Sequence, residues 1–232
     1  MQQICNNNFN NLKHLRNINK FMETKFTEQE SLTLISEMIK QARNNFKKGG
    51  GNSMIFYGLF VSVVAILNVI LAFAFIKLNI NANLSFWIWS LMIPAIYVGY
   101  LIDKKVERES MVKTHIDSII SSTWGSYLIS VYLFLVVIFC LGFGKKFYDL
   151  FFLLNPVILI LLGFAEFVSA KTYRFRPFWY GSIIMWLGAL ACTALMWVPE
   201  PVIFQLLVLS ICMFLGFVIP GYKLNRLAKE NV

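Results

Sequence analysis

Hydrophobic residues in this chain occur in long uninterrupted runs, not in the short alternating patterns of a soluble fold. Six runs are long enough to cross the roughly 30 Å hydrocarbon core of a bilayer as helices. They cover residues 54–75, 86–102, 127–143, 151–170, 178–198 and 202–219. We therefore predict an all-α polytopic membrane protein in which residues 49–222 form a six-helix transmembrane bundle, arranged as three consecutive helical hairpins.

The composition supports a membrane protein. Of the 232 residues, 58% are hydrophobic and only 14% are charged, and the mean hydropathy is +0.64. These values exclude a disordered chain and a disulfide-rich secreted module. The net charge of +9 does not indicate nucleic acid, because the basic residues are dispersed between the apolar runs. We expect membrane lipids as the surroundings and no nucleic-acid partner.

Lysine and arginine are divided unequally between the two sides of the predicted bundle. Eight precede the first span, four lie in the second connection, three in the fourth, and three in a tail at 223–232. The other side holds only Lys77, Lys145 and Lys146 of the 21. The positive-inside rule therefore predicts that the N-terminus and the C-terminal tail are cytoplasmic.

The segment before the first span has its own pattern. Residues 1–26 are rich in Asn, so we expect either a disordered tail or, because Met22 is a plausible alternative start, an over-extended reading frame. A capping box of Thr27 and Glu30 and an apolar stripe then predict a cytoplasmic amphipathic helix over 27–48. We take the stripe as the partner-docking face of this helix: Leu32, Ile35, Met38, Ile39 and Phe46.

Three roles are open for this helix. It lies in the membrane interface, it docks on a cytoplasmic protein or a second copy of the chain, or it connects a transporter subunit to a cytoplasmic motor. Its polar face mixes acidic and basic residues, which weakens the case for lipid binding alone.

The same segment carries a resemblance to known proteins. Thr27-Glu28-Gln29-Glu30-Ser31-Leu32 and Ile35-Ser36-Glu37-Met38-Ile39, followed by a glycine-containing joint and an aromatic-rich first span, resemble a group of small polytopic bacterial inner-membrane proteins of unassigned function. The resemblance implies a location in the bacterial inner (plasma) membrane and an accessory or regulatory role.

The connection over 103–123 predicts a second cytoplasmic amphipathic helix, with charged residues before a stripe of Val112, Ile116, Ile119 and Ile120. It is either a solvated extension of span two or a coupling helix. Together with the N-terminal helix and six spans, it is similar to the permease half of certain ABC exporters. The chain departs from those permeases between spans five and six, where Pro199-Glu200-Pro201 leaves no room for re-entrant outer helices.

Polar residues within the spans are candidates for an intramembrane polar site, because such residues are costly in hydrocarbon. Glu166 is the only ionisable residue that lies well inside a span. It either pairs with Lys171, Arg174 or Arg176, or it has a proton or substrate role. The other two candidates are amides, Asn68 and Asn155.

Small residues predict close helix packing or an oligomer contact in the last two spans. They are Gly181 and Gly188 in span five and Cys212 and Gly216 in span six.

The chain lacks the sequence patterns of common enzymes. There is no GxSxG, HExxH or Walker sequence, and both histidines lie outside the spans. We expect no enzymatic activity, no cofactor and no metal site. Two functions remain: a regulatory or accessory protein whose cytoplasmic helices dock a partner, or a transporter subunit that uses Glu166 or a central cavity. The few polar residues in spans one, three and six favour the first.

Overall fold

The computed structural model describes residues 32–33, 49–109 and 115–230. The chain divides into two units, residues 1–45 and 46–232. In the first unit, Leu32 and Thr33 are helical and the Leu32 side chain is exposed. The remainder of the predicted helix over 27–48, including Ile35, Met38, Ile39 and Phe46, lies outside the described residues, as do residues 1–26.

Six helical segments of the second unit are long and apolar enough to cross a membrane. Their main helices are α1 (Asn52–Lys77), α2 (Met92–Glu109), α3 (His115–Gly144), α4 (Leu154–Tyr173), α5 (Arg176–Ala194) and α6 (Pro201–Met213). Shorter segments extend them: 3₁₀ helices at Ala82–Leu91, Tyr148–Leu153 and Leu195–Trp197, a π-helical turn at Phe214–Val218, and α7 (Ile219–Glu230), which continues α6. The prediction of an all-α fold with six membrane-crossing helices is confirmed.

Several helices run past the predicted ends of the spans. No proline or glycine lies between residues 100 and 109 or between 115 and 124, so α2 continues through Glu109 and α3 begins at His115. The predicted amphipathic helix within 103–123 is therefore divided between the end of α2 and the start of α3, and residues 110–114 lie outside the described residues. The predicted tail at 223–232 is helical through Glu230.

Left-handed residues reverse the chain in four connections. Asn79, Lys146, Arg174 and Glu200 have φ angles between 51° and 58°. At the end of α4, for example, the left-handed Arg174 allows the Phe175 N–H to donate to a carbonyl of the last helical turn at 3.1 Å. Each reversal needs only a few residues, so the neighbouring spans run antiparallel.

Four helices form a core, and two lie at its edge. In the most apolar window of each span, 39% of the residues are buried in α1, 33% in the α4 span, 39% in the α5 span and 44% in the α6 span, against 17% in the α2 span and 11% in α3. The most extensive helix contact is between α4 and α5, and α6 packs back on α1. The four core helices therefore pack in the order α4, α5, α6 and α1, and their most extensive contact joins two helices that belong to different predicted hairpins.

Small residues bring α1 and α6 into close contact. Ser62 Oγ donates to the Ser210 carbonyl at 2.9 Å, and Ser210 Oγ donates to the Ser62 carbonyl at 3.1 Å. At Gly58, a Cβ would lie 2.8 Å from side chains of the π-helical turn. At one end of the bundle, the Gly51 N–H donates to Asn225 Oδ1 at 2.9 Å, which joins the start of α1 to α7.

Candidate functional site

Glu166 is the one buried acidic side chain among the residues that the structure describes. It is 0% exposed, and neither carboxyl oxygen has a hydrogen-bond partner. It lies on the face of α4 that also buries Leu159, Leu162 and Ser169, at the three- and four-residue spacing of a helix. Because an isolated carboxylate is very costly to remove from water, this carboxyl requires a compensating proton or cation.

The expected ion pair between Glu166 and nearby cations is not present in the described part of the chain. Lys171 Nζ lies 5.4 Å from the ring centroid of Phe167, and neither Glu166 carboxyl oxygen has a hydrogen-bond partner among the described residues. The reason is the helical period: five residues separate the two side chains, so Lys171 lies on the exposed side of α4 and Glu166 on the buried side. Glu166 therefore neither pairs with Lys171 nor reaches the surface.

A missing side chain on α5 makes room for the Glu166 carboxyl. A Cβ on Gly181 would overlap Glu166 Oε1, and it would lie 2.7 Å from Glu166 Cδ and 2.7 Å from the carbonyl oxygen of Gly216. The carboxyl and the Gly216 carbonyl oxygen therefore border the same small space. Residues of α4, α5 and the π-helical turn meet there.

The Gly216 carbonyl belongs to that π-helical turn, Phe214–Val218. Pro220 follows four residues later and has no N–H, so it cannot donate the usual helical hydrogen bond to this carbonyl. Single π-helical turns are often found at functional sites. The spacing of Gly216 and Pro220 can be read from the sequence. The position of the Gly216 carbonyl beside Glu166 follows only from the packing of α4 and α5 against the π-helical turn.

A second polar group joins α4, α5 and α6 around Gln205, which is 1% exposed. Its Nε2 donates to the Cys192 carbonyl at 3.0 Å and to the Phe152 carbonyl at 3.2 Å, and its Oε1 accepts from Asn155 Nδ2 at 3.4 Å. Gln205 is not among the site residues predicted from the sequence, although an amide within an apolar span is a sufficient signal.

Asn68 of α1 is also buried, at 1% exposure, and neither side-chain atom has a hydrogen-bond partner. The antiparallel contact that joins Ser62 to Ser210 places Asn68 at the level of Phe204, next to Gln205 in the sequence. Asn68 is therefore at the level of the Gln205 group.

The three candidates for the intramembrane site do not come together. Glu166 is eleven residues from Asn155 along α4, which corresponds to about 16 Å at the usual helical rise. Asn155 and Asn68 belong to the level of Gln205, and Glu166 belongs to a separate level that is closer to the end of α4 at Tyr173.

The four small residues predicted to pack helices lie between α5 and α6. Gly181 is beside Gly216, and a Cβ on Gly188 would overlap Cys212 Sγ. The Cys212 thiol donates to a carbonyl of α5 at 3.7 Å. In this structure these residues serve packing within the chain.

Outside the core, α2 carries a group of cations that we call the α2 basic cluster: Lys104, Lys105 and Arg108. With Leu101, they line a shallow surface cavity of about 350 Å³. The cluster favours the binding of anionic groups. Within the described residues, no group of three or more His, Cys, Asp or Glu side chains could hold a metal ion.

Comparison with protein families, curated proteins and solved structures finds no match for the chain.

Proposed function

We propose that this chain is an accessory or regulatory protein of the bacterial inner membrane that docks a protein partner along α2 and α3. It is an integral membrane protein with six membrane-crossing helices. The observation that carries the proposal is the unequal packing of these helices. The two edge spans are only 17% and 11% buried in their most apolar windows, while the core spans reach 33–44%.

The exposed surface of α3 is better suited to a protein than to lipid chains. Hydroxyl side chains lie exposed along it at four-residue spacing, with Ser118 and Ser122 in the segment before the predicted span and Ser126 and Ser130 where the span begins. An acyl chain offers a hydroxyl no hydrogen-bond partner. Small hydroxyl residues allow another helix to approach closely and to accept a hydrogen bond.

The α2 basic cluster supports a partner with an acidic segment. The unequal distribution of Lys and Arg supports a cytoplasmic position for this cluster and for both termini. The predicted helix over 27–48 would add a second docking element on the same side. We propose no catalysis, cofactor or nucleic-acid partner for this function.

A transporter subunit that resembles an ABC-exporter permease is the second candidate, because the buried Glu166 is typical of transport pathways. Two observations weaken it. The chain passes from Trp197 to Pro201 with no helix between them. In addition, Ser62 and Ser210 hold α1 and α6 in direct contact through two hydrogen bonds.

Charge reversal in the α2 basic cluster tests the docking proposal. The tagged full chain is purified from native membranes as wild type and as Lys104→Glu/Lys105→Glu. We expect proteins that co-purify with the wild type to fall at least several-fold with the variant, because acidic groups on the partner would be repelled. A second, differently tagged copy of the chain reports self-association in the same samples.

Lys223→Glu/Lys229→Glu is the matched control, because it reverses two exposed lysines on α7. This variant should retain the partner. Equal recovery from both variants would contradict the proposal. Loss of binding to anionic liposomes with no change in any protein would assign the cluster to lipid headgroups instead.

A further inference from the structure

The docking proposal does not use Glu166, yet the surroundings of this residue are those of a binding site. Its carboxyl is fully buried and has no hydrogen-bond partner. The absence of a Cβ at Gly181 leaves the carboxyl and the Gly216 carbonyl oxygen bordering one space. We propose that Glu166 is a proton-binding site within the membrane, in which the protonated carboxyl donates its O–H to the Gly216 carbonyl oxygen.

One proton satisfies both groups. An ionised carboxylate at this position would be a buried charge with no compensation, while a neutral carboxyl gains a donor. The Gly216 carbonyl lacks its usual helical donor, because Pro220 has no N–H. The acid proton therefore takes the place of the donor that is missing at Pro220.

No ionisable side chain on the surrounding helices replaces the proton. On α4, Lys171 lies over the Phe167 ring, and on α5 Tyr180 is exposed. On α3, Tyr127 packs against the apolar core. On α6, the Cys212 thiol is directed to a carbonyl of α5.

The small number of oxygens favours a proton over a metal cation. Hard metal cations need a shell of several oxygens, while a proton needs a single acceptor. The three atoms nearest to a Cβ at Gly181 are Oε1 and Cδ of Glu166 and the carbonyl oxygen of Gly216. In the part of the chain that the structure describes, no group of three or more His, Cys, Asp or Glu side chains could hold a metal ion.

Proton loss would change the packing at this level. It would leave a carboxylate next to Gly181. The negative charge of the carboxylate would then lie beside the partial negative charge of the Gly216 carbonyl oxygen. The helices would have to separate or admit water. The site thus links proton binding to the contact of α4 with α5 and α6.

Infrared spectroscopy of the full chain in liposomes at neutral pH tests the proposal. The wild type should show the C=O stretch of one protonated carboxyl, and uniform ¹³C labelling of glutamate should shift it. Glu166→Gln should remove the whole band, while its amide N–H can still donate to Gly216. Glu200→Gln changes an exposed glutamate in the turn before α6 and should leave the band intact.

Three results would overturn the proposal. The first, which requires no variant, is a wild-type spectrum without a protonated glutamate band. The second is a band that persists in Glu166→Gln. The third is a Glu166 carboxylate band that shifts when choline is replaced by Na⁺, which would make the site one for a metal cation. If Glu166→Gln fails to insert, the labelled wild-type spectra still decide between these results.

Discussion

Gly181 is the residue that allows Glu166 to fit between α4, α5 and α6. Gly181→Ala places a methyl group onto Glu166 Oε1 and against the Gly216 carbonyl. We expect a loss of about 1–3 kcal/mol in the free energy of unfolding, which is typical of an overpacked core. Denaturant titration of the purified protein in micelles or bicelles measures it.

Gly125→Ala is the matched control, since nothing lies within 4 Å of the position of a Cβ there. Alanine also has the higher helix propensity, so this variant should be as stable as the wild type or slightly more stable. Equal stabilities of the Gly181 and Gly125 variants would show that the contact with Glu166 is absent.

The Gln205 side chain should contribute more to the free energy of unfolding than the exposed apolar side chain next to it. Gln205→Leu removes two hydrogen bonds to backbone carbonyls and one from Asn155. We expect a loss of about 0.6–2 kcal/mol, the range for polar contacts within membranes. In the same unfolding experiment Phe204→Leu, at an exposed neighbouring position, should change little. A Gln205→Leu variant as stable as the wild type would show that the hydrogen bonds of Gln205 do not stabilise the fold.

The sequence indicates single polar residues but not their neighbours. Glu166 was recognisable because it is the only ionisable residue deep in a span. Its separation from Asn155 follows from their eleven-residue spacing along α4. Its separation from Asn68 and its proximity to the Gly216 carbonyl depend on the rotation and depth of helices that are distant in the chain. Hydropathy carries no information on either quantity.

At the scale of elements, the reciprocal serine pair fixes the register of α1 against α6. Ser62→Ala and Ser210→Ala each remove one of the two hydrogen bonds. We expect each substitution to lower the free energy of unfolding by about 0.6 kcal/mol and at most about 1.7 kcal/mol. Because the two bonds have different donors and acceptors, the two losses should add in the double variant. Ser169→Ala is the control, because Ser169 bonds within its own helix and not between α1 and α6.

Ser62→Ala and Ser210→Ala variants that are both as stable as the wild type would contradict the register.

The number and order of the spans followed from the hydrophobic runs, because the bilayer dictates the length of a crossing helix. The ends of the helices could not be predicted as well from the hydrophobic runs. A helix does not stop where it leaves the hydrocarbon, so α2 and α3 continue into charged segments that read as a separate helix in the sequence. The π-helical turn also escaped prediction, since its sequence is as apolar as the helix on either side.

At the scale of the whole molecule, the distribution of Lys and Arg predicts which turns face the cytoplasm. Single cysteines are introduced into a variant without the four native cysteines and labelled with a membrane-impermeant maleimide in spheroplasts. We expect labelling at three turn positions, Asn79→Cys, Lys146→Cys and Glu200→Cys. Lys105→Cys, Arg174→Cys and Lys223→Cys should react only after lysis. The reverse pattern would invert the orientation and place the α2 basic cluster outside the cell.

Position-specific photocrosslinking in native membranes tests the central claim, that a protein docks along α2 and α3, most directly. A photoreactive residue replaces Ile129 or Leu133 on α3, which are 62% and 57% exposed, or Leu187 or Leu190 on α5, which are 60% and 68% exposed. If a protein docks along α2 and α3, the α3 positions should give a discrete protein adduct and the α5 positions only lipid adducts. Lipid adducts alone from all four positions, or the same protein adduct from both helices, would contradict it.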